Sequence, residues 1–110
     1  MKKPKKPDKV KLGHREYKIK YITNKEASKR QIYGEVDTNL QIIVVDQSLD
    51  KLNTSNTILH EVMHILAYNY QWNLPAKTEE LIAETSVNGL MDCFAENPEI
   101  LKYIYNSFKK

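Results

Sequence analysis

His60-Glu61-Val62-Met63-His64 spells H-E-x-x-H inside the apolar run from Thr57 to Leu66. On a helix, side chains four residues apart lie on one face, about one turn from each other. Two imidazoles so placed can grip one Zn²⁺, and the glutamate between them can act as general base on a metal-bound water. The chain has three histidines, and this segment uses two of them. The expectation is a zinc-dependent hydrolase with His60 and His64 as ligands and Glu61 as the catalytic base.

Catalytic zinc takes three protein ligands and keeps a fourth position for water. The single cysteine, Cys93, excludes a cysteine-rich site, and its apolar setting reads as core rather than nucleophile. His14 is remote in sequence and reads as a surface residue. A carboxylate must therefore complete the set, and the segment after Pro75 offers Glu79, Glu80 and Glu84. Glu79 and Glu80 follow Thr78, a candidate N-cap, in a first helical turn where acids suit the helix dipole. Glu84 has no such explanation. It flanks the arc of Ala83, Val87, Leu90, Met91 and Phe94, and a carboxylate at the border of a core-facing stripe needs a partner. Glu84 is the expected third ligand, with Glu80 as the alternative. Asn88, one turn further on, is placed to orient a ligand, and Tyr68 or Tyr70 to supply a second electrophile to an oxyanion.

These residues need elements to position them. Tyr17 to Tyr21 alternates with period two and reads as a half-buried strand. Residues 22–30 carry only a weak signal for a short helix or a loop. Ile32 to Val36 and Leu40 to Val45 are two further strands, and the turn residues Asp37-Thr38-Asn39 make them an antiparallel hairpin. Asn53 to Asn56 clusters N-cap residues before a helix from about Thr57 to Tyr70, with an apolar arc of Ile58, Leu59, Val62, Met63, Leu66 and Tyr70. A linker anchored by Trp72 leads to a helix capped by Thr78. Pro98 opens a last helix with the stripe Ile100, Leu101, Ile104 and Phe108. The order predicts an α+β fold: a small antiparallel or mixed sheet of about three strands, packed on the motif helix and two further helices.

A chain of 110 residues with 41% apolar and 28% charged residues has the composition of one soluble globular domain. No stretch is long and apolar enough to span a bilayer. The N-terminus lacks the apolar region of a secretory signal, and with the lone cysteine this favours the cytosol. The net charge of +3 is uneven: residues 1–11 hold six lysines and one aspartate, leaving eleven basic and thirteen acidic residues for the rest. Residues 1–11 are expected to be a flexible tail ahead of a folded domain over 12–110. Nucleic acid or an acidic partner would be met only through that tail.

At this point the residues resemble the zincin metallopeptidases, which join an H-E-x-x-H helix to a small mixed sheet. In the gluzincin branch the third ligand is a glutamate on a later helix. Glu84-Thr85-Ser86-Val87-Asn88 is similar to the E-x-x-A-N stretch of the ImmA/IrrE-type metallopeptidases of phages and mobile elements, with Val87 where alanine is usual. The resemblance covers about residues 15–100. It implies His60, His64 and Glu84 as ligands, Glu61 as base, and cytosolic cleavage of a specific protein. A peptide would lie beside the Leu40–Val45 strand if that strand is a sheet edge. The alternative is a zincin-fold binding module that sequesters or modulates a host protein and keeps the metal for structure.

Overall fold

The computed structural model describes residues 5–109. The elements in chain order are β1 (Lys9–Leu12), β2 (Arg15–Ile22), α1 (Asn24–Arg30), β3 (Gly34–Asp37), β4 (Ile42–Asp46), α2 (Lys51–Asn69), α3 (Ala76–Glu96) and α4 (Pro98–Ser107). They form an α+β fold with one mixed sheet in the order β1-β2-β4-β3. β1 and β2 form an antiparallel hairpin, with Gly13 at a positive φ of 64° in its tight turn, as primed turns require. β2 and β4 run parallel, joined by a crossover through α1 and β3. β3 and β4 are the expected antiparallel pair.

One sheet face is apolar. Tyr17, Ile19, Ile43 and Val45 alternate inward and meet Ile65 of α2, with Val10, Leu12, Val36, Leu49 and Ile58 packed around them. Period-two burial from all four strands against one helix is what holds the sheet on α2. The opposite face carries Lys9, Lys11, Lys18 and Lys20, all exposed, with Lys9 directly across from Lys18. Only one of these pairs with an acid within reach, Lys9 with Glu16 at 3.6 Å.

The expected tail of residues 1–11 is corrected by this arrangement. Residues 9–11 belong to β1, and the segment before it is also tied down. Ile19 N–H donates to the Asp8 carbonyl (2.9 Å), and the Tyr21 hydroxyl donates to the Pro7 carbonyl (2.6 Å). The alternation Lys9-Val10-Lys11-Leu12 is an amphipathic strand whose lysines mask its period. The basic character thus extends onto the folded body. Residues 1–4 of the expected tail lie outside the described residues.

Three helix and strand boundaries differ from expectation for local reasons. β4 begins at Ile42, because the Asp37 carboxylate accepts from the N–H groups of Asn39 and Leu40 (both 2.9 Å) and curls the chain there. α2 begins at Lys51, because Asp50 caps it by accepting from Asn53 N–H (2.8 Å), two turns before the expected start. α3 begins at Ala76 after Pro75, without a side-chain cap, so Thr78 lies inside the helix. Residues 24–30, where the sequence signal is weak, form α1. It is capped by Thr23 and stopped by Gln31 at φ 58°.

α2 does not bury the apolar arc its sequence suggests. Its buried positions are Thr54, Thr57, Glu61, Ile65 and Ala67, while Leu59 is 37% and Tyr70 73% exposed. The stripe of α4 likewise stays open, with no residue of that helix buried. Among the described residues no helix is long and apolar enough to cross a membrane.

Thr57 and Glu61 reach the sheet because β3 opens with glycine. A Cβ at Gly34 would collide with the Thr57 methyl and stand 3.0 Å from the Val44 carbonyl oxygen. Gly34→Ala is expected to destabilise the protein by about 1–3 kcal/mol through overpacking. Thr57→Ser, which removes that methyl, is expected to recover part of the loss. Denaturant titration of the single and double variants checks both, and equal stability of Gly34→Ala and wild type would disprove the close approach.

Candidate metal centre

α2 and α3 run antiparallel, and their facing residues keep a constant register. Asn56 Nδ2 donates to Asn88 Oδ1 (2.9 Å), and eight residues further along α2, His64 meets Glu80, eight residues back along α3. On α2, His60 and His64 stand one turn apart with ring centroids 5.0 Å from each other. Their Nε2 atoms are 3.3 Å apart. Ligands of a tetrahedral ion at bond lengths of about 2.0–2.1 Å are separated by about 3.3 Å, so this spacing suits one shared cation.

The carboxylate that meets both rings is Glu80. Its Oε1 lies 2.8 Å from His60 Nε2 and its Oε2 2.8 Å from His64 Nε2. His60, His64 and Glu80 together could hold a metal ion. Glu84, the expected ligand, is not in this group. It sits one turn along α3, exposed, and lines the hollow beside His60 without reaching the Nε2 atoms. The alternative, Glu80, is the residue at the level where the two nitrogens converge.

Glu79 supplies a contact that the sequence reading assigned to the helix dipole. Its Oε2 stands 2.6 Å from His64 Nδ1. An ionised carboxylate only accepts, so this bond places the ring proton on Nδ1 and turns Nε2 toward the metal position. Asn88, expected to orient a ligand, is engaged with Asn56 instead. Burial works against charge on His64, but the Glu79 hydrogen bond and the charges of Glu61 and Glu80 outweigh it and raise its pKa.

Glu61 lies between the two histidines in sequence and lines two hollows beside them. It is 6% exposed and belongs to no ligand set or ion pair among the described residues. Burial raises its pKa above the usual carboxylate value, and the nearby charges of Glu80 and Glu35 add to that shift against the two histidines. Gly34 leaves room for it: a Cβ there would lie 3.7 Å from Glu61 Oε2.

Two hollows meet at this cluster. One, of about 460 Å³, is bounded by Glu35 and Val36 of β3, Thr38 just after it, Tyr68 and Glu79. The other, of about 550 Å³, is bounded by Tyr33, Asn53, Asn56, Glu84 and Asn88. Gly34, His60, Glu61 and Glu80 line both, so the donors sit midway along one trough. β3 is its sheet wall and an edge strand, whereas β4 is paired on both sides. The expectation of a peptide beside the Leu40–Val45 strand therefore moves to β3. Tyr68 lines the trough and is 47% exposed, whereas Tyr70 is 73% exposed and lines neither of these hollows. His14 is exposed, as expected, and Cys93 is half-buried.

Metal affinity ranks these acids. Glu80→Ala is expected to weaken zinc binding most, Glu79→Ala by about 10–100-fold as the loss of an orienting partner, and Glu84→Ala least. Competition against a chromophoric chelator gives the order, and a greater loss for Glu84→Ala than for Glu80→Ala would return the third ligand to Glu84.

The metal-free protein carries a pH signature. A raised His64 pKa contributes stability that is complete below 6.5 and is lost as pH rises through the folded-state value. A raised Glu61 pKa has the same sign, and its penalty grows as pH rises above 4.5. The thermal midpoint of metal-free protein is expected to fall between about pH 5 and pH 8, with Glu61→Gln removing the Glu61 share. A midpoint that rises over this range, followed by calorimetry, would contradict the sign.

No protein-family model, curated protein or solved structure matches this chain.

Proposed function

We propose that this chain is a zinc-dependent hydrolase, an endopeptidase acting on a specific protein, with His60, His64 and Glu80 as ligands and Glu61 as general base. One observation carries the catalytic part of the reading. Glu61 is a buried carboxylate outside the donor group, with no side-chain partner among the described residues, and it lines the trough where the donors converge. A buried acid without a partner costs stability, and the chemistry of H-E-x-x-H gives it a purpose. Two imidazoles and one carboxylate with an open side are the donor set of a catalytic rather than a closed structural zinc site.

Zinc held there would act as a Lewis acid and bring the pKa of an attached water near 7. Glu61 would take the proton of the attacking water on its carboxylate and return it to the leaving nitrogen. Its raised pKa brings it closer to a neutral working pH, which favours transfer in both directions. Glu79 would keep His64 in the Nδ1–H tautomer throughout. The open edge of β3 offers main-chain groups to an extended peptide, which is the support for a peptide over a small-molecule substrate. This reading agrees with the resemblance to the gluzincins, except that the third ligand stands one turn earlier.

Glu61→Gln is expected to keep zinc affinity near wild type and lower turnover by about 10²–10⁴-fold. Zinc content and cleavage of a degenerate peptide library, read by mass spectrometry, check the two halves separately. Equal cleavage by variant and wild type would remove Glu61 as base. No cleavage by zinc-loaded wild type would favour the binding module.

A further inference from the structure

The trough is acidic around the donors, with Glu35, Glu61, Glu79 and Glu80 on its walls. Its Tyr68 end is different. Arg15 opens β2 with its guanidinium carbon 5.2 Å from the Tyr68 ring centroid, a cation–π distance. Tyr68 is the shared wall between the trough and a third hollow, which Arg15 also lines. Arg15 is the only lysine or arginine on any of these three surfaces among the described residues. It forms no ion pair with a carboxylate there. The Arg15 guanidinium is thus held against Tyr68, with Tyr68 and Tyr17 as its hydrogen-bonding neighbours and no carboxylate partner among the described residues.

Resting on the zinc-peptidase reading above, we propose that Arg15 and Tyr68 form a substrate subsite for a carboxylate. The group would be an acidic side chain or the free C-terminus of the peptide being cleaved. The guanidinium offers two parallel N–H donors that match a carboxylate, and the stack on Tyr68 fixes their direction. Tyr68 follows His64 by one helical turn, about 6 Å along the axis. Arg15 lies beyond it. A peptide extended along β3 covers such a distance in about two or three residues. The recognised carboxylate therefore belongs to a residue near the cleaved bond, on the side of the Tyr68 end. At the donors themselves the acidic walls disfavour a carboxylate by like-charge repulsion, so the preference is confined to one position. Arg15 is a specificity-determining residue here and has no part in the chemistry.

Hydroxamate-capped alanine tetrapeptides test this on the full zinc-loaded chain. Glu is placed at each position in turn against Gln, with the peptide extending to either side of the hydroxamate, and termini are free or amidated. Calorimetry reads the affinity. Glu at one position is expected to bind about tenfold tighter than Gln. Arg15→Gln should abolish that preference while leaving acetohydroxamate binding unchanged, which also reports an intact site. Arg15→Lys should retain only part of it. A preference that follows the free terminus rather than Glu would identify the chain end as the source. Equal affinity of every acid and amide pair, or a preference that survives Arg15→Gln, would overturn the subsite while leaving the metal reading intact. Failure of acetohydroxamate itself to bind would remove the zinc reading and the subsite together.

Discussion

The Glu80 carboxylate meeting two imidazoles from a neighbouring helix is the contact on which this site depends. It joins α3 to α2 at the level where the donors converge, 2.8 Å to each ring nitrogen. α2 is in turn fixed to the sheet by Ile65 and Ile58 on the apolar side and by Thr57 against Gly34 on the polar side. The position of Glu80 is therefore set by a helix pair, and that of the histidines by helix and sheet together. Moving α3 by one residue would turn Glu80 about 100° away and slide it 1.5 Å. The Asn56–Asn88 hydrogen bond lies two turns off and holds the same register, so it fixes the phase of the two helices where no ligand is involved.

This geometry is obtained against the preferences of a folding core. The inward face of α2 is threonine, threonine and glutamate for most of its length, and only Ile65 among its residues joins the buried cluster. Burying Glu61 with no side-chain partner among the described residues costs free energy that an apolar residue would have spared. A cation held by His60, His64 and Glu80 in the folded state alone would return free energy to folding, because the donors are brought together only there. Site and stability are thus coupled through the same few side chains. Variants of Glu61 separate them: the residue lies outside the donor group, so its replacement changes a buried charge without altering the donor set.

Much of this was legible in the chain, and the parts that were not have specific causes. The H-E-x-x-H helix, the β3–β4 hairpin and the start of α4 at Pro98 follow from periodicity and turn residues. β1 was hidden because every second residue in Lys9-Val10-Lys11-Leu12 is a lysine, and a strand with one solvated face then resembles a tail. The buried face of α2 was misread because the sequence arc counts apolar residues. Gly34 lets the sheet approach the helix along its threonines instead. The approach of Glu80 to both imidazoles was not legible because the helix dipole accounts for Glu79 and Glu80 without a metal. Counting across the helical hairpin brings Glu80 to the level of His64. His64 is five residues before the end of α2, and in an antiparallel pair its partner lies near the same depth inside α3, where Glu80 stands four residues past Ala76.

The sheet order explains why the trough has an open strand for a wall. β2 and β4 are parallel neighbours, and parallel neighbours need a crossover that cannot lie between them. α1 and β3 are that crossover, so β3, returning to β4 as an antiparallel hairpin, must pair on its far side. The strand that carries Gly34 is thereby placed at the edge and alongside α2 at once. Glycine is required for the second position, since any Cβ would push the helix away. The first leaves the outer row of main-chain groups on β3 unpaired beside Glu61 and the donors. An exposed edge is a hazard that folded proteins usually blunt with charge or a covering element. Here Glu35 and Asp37 put exposed charge on β3, and the four-residue length keeps the edge short. The topology that buries the core against α2 is the same one that leaves a short strand edge open beside the donors.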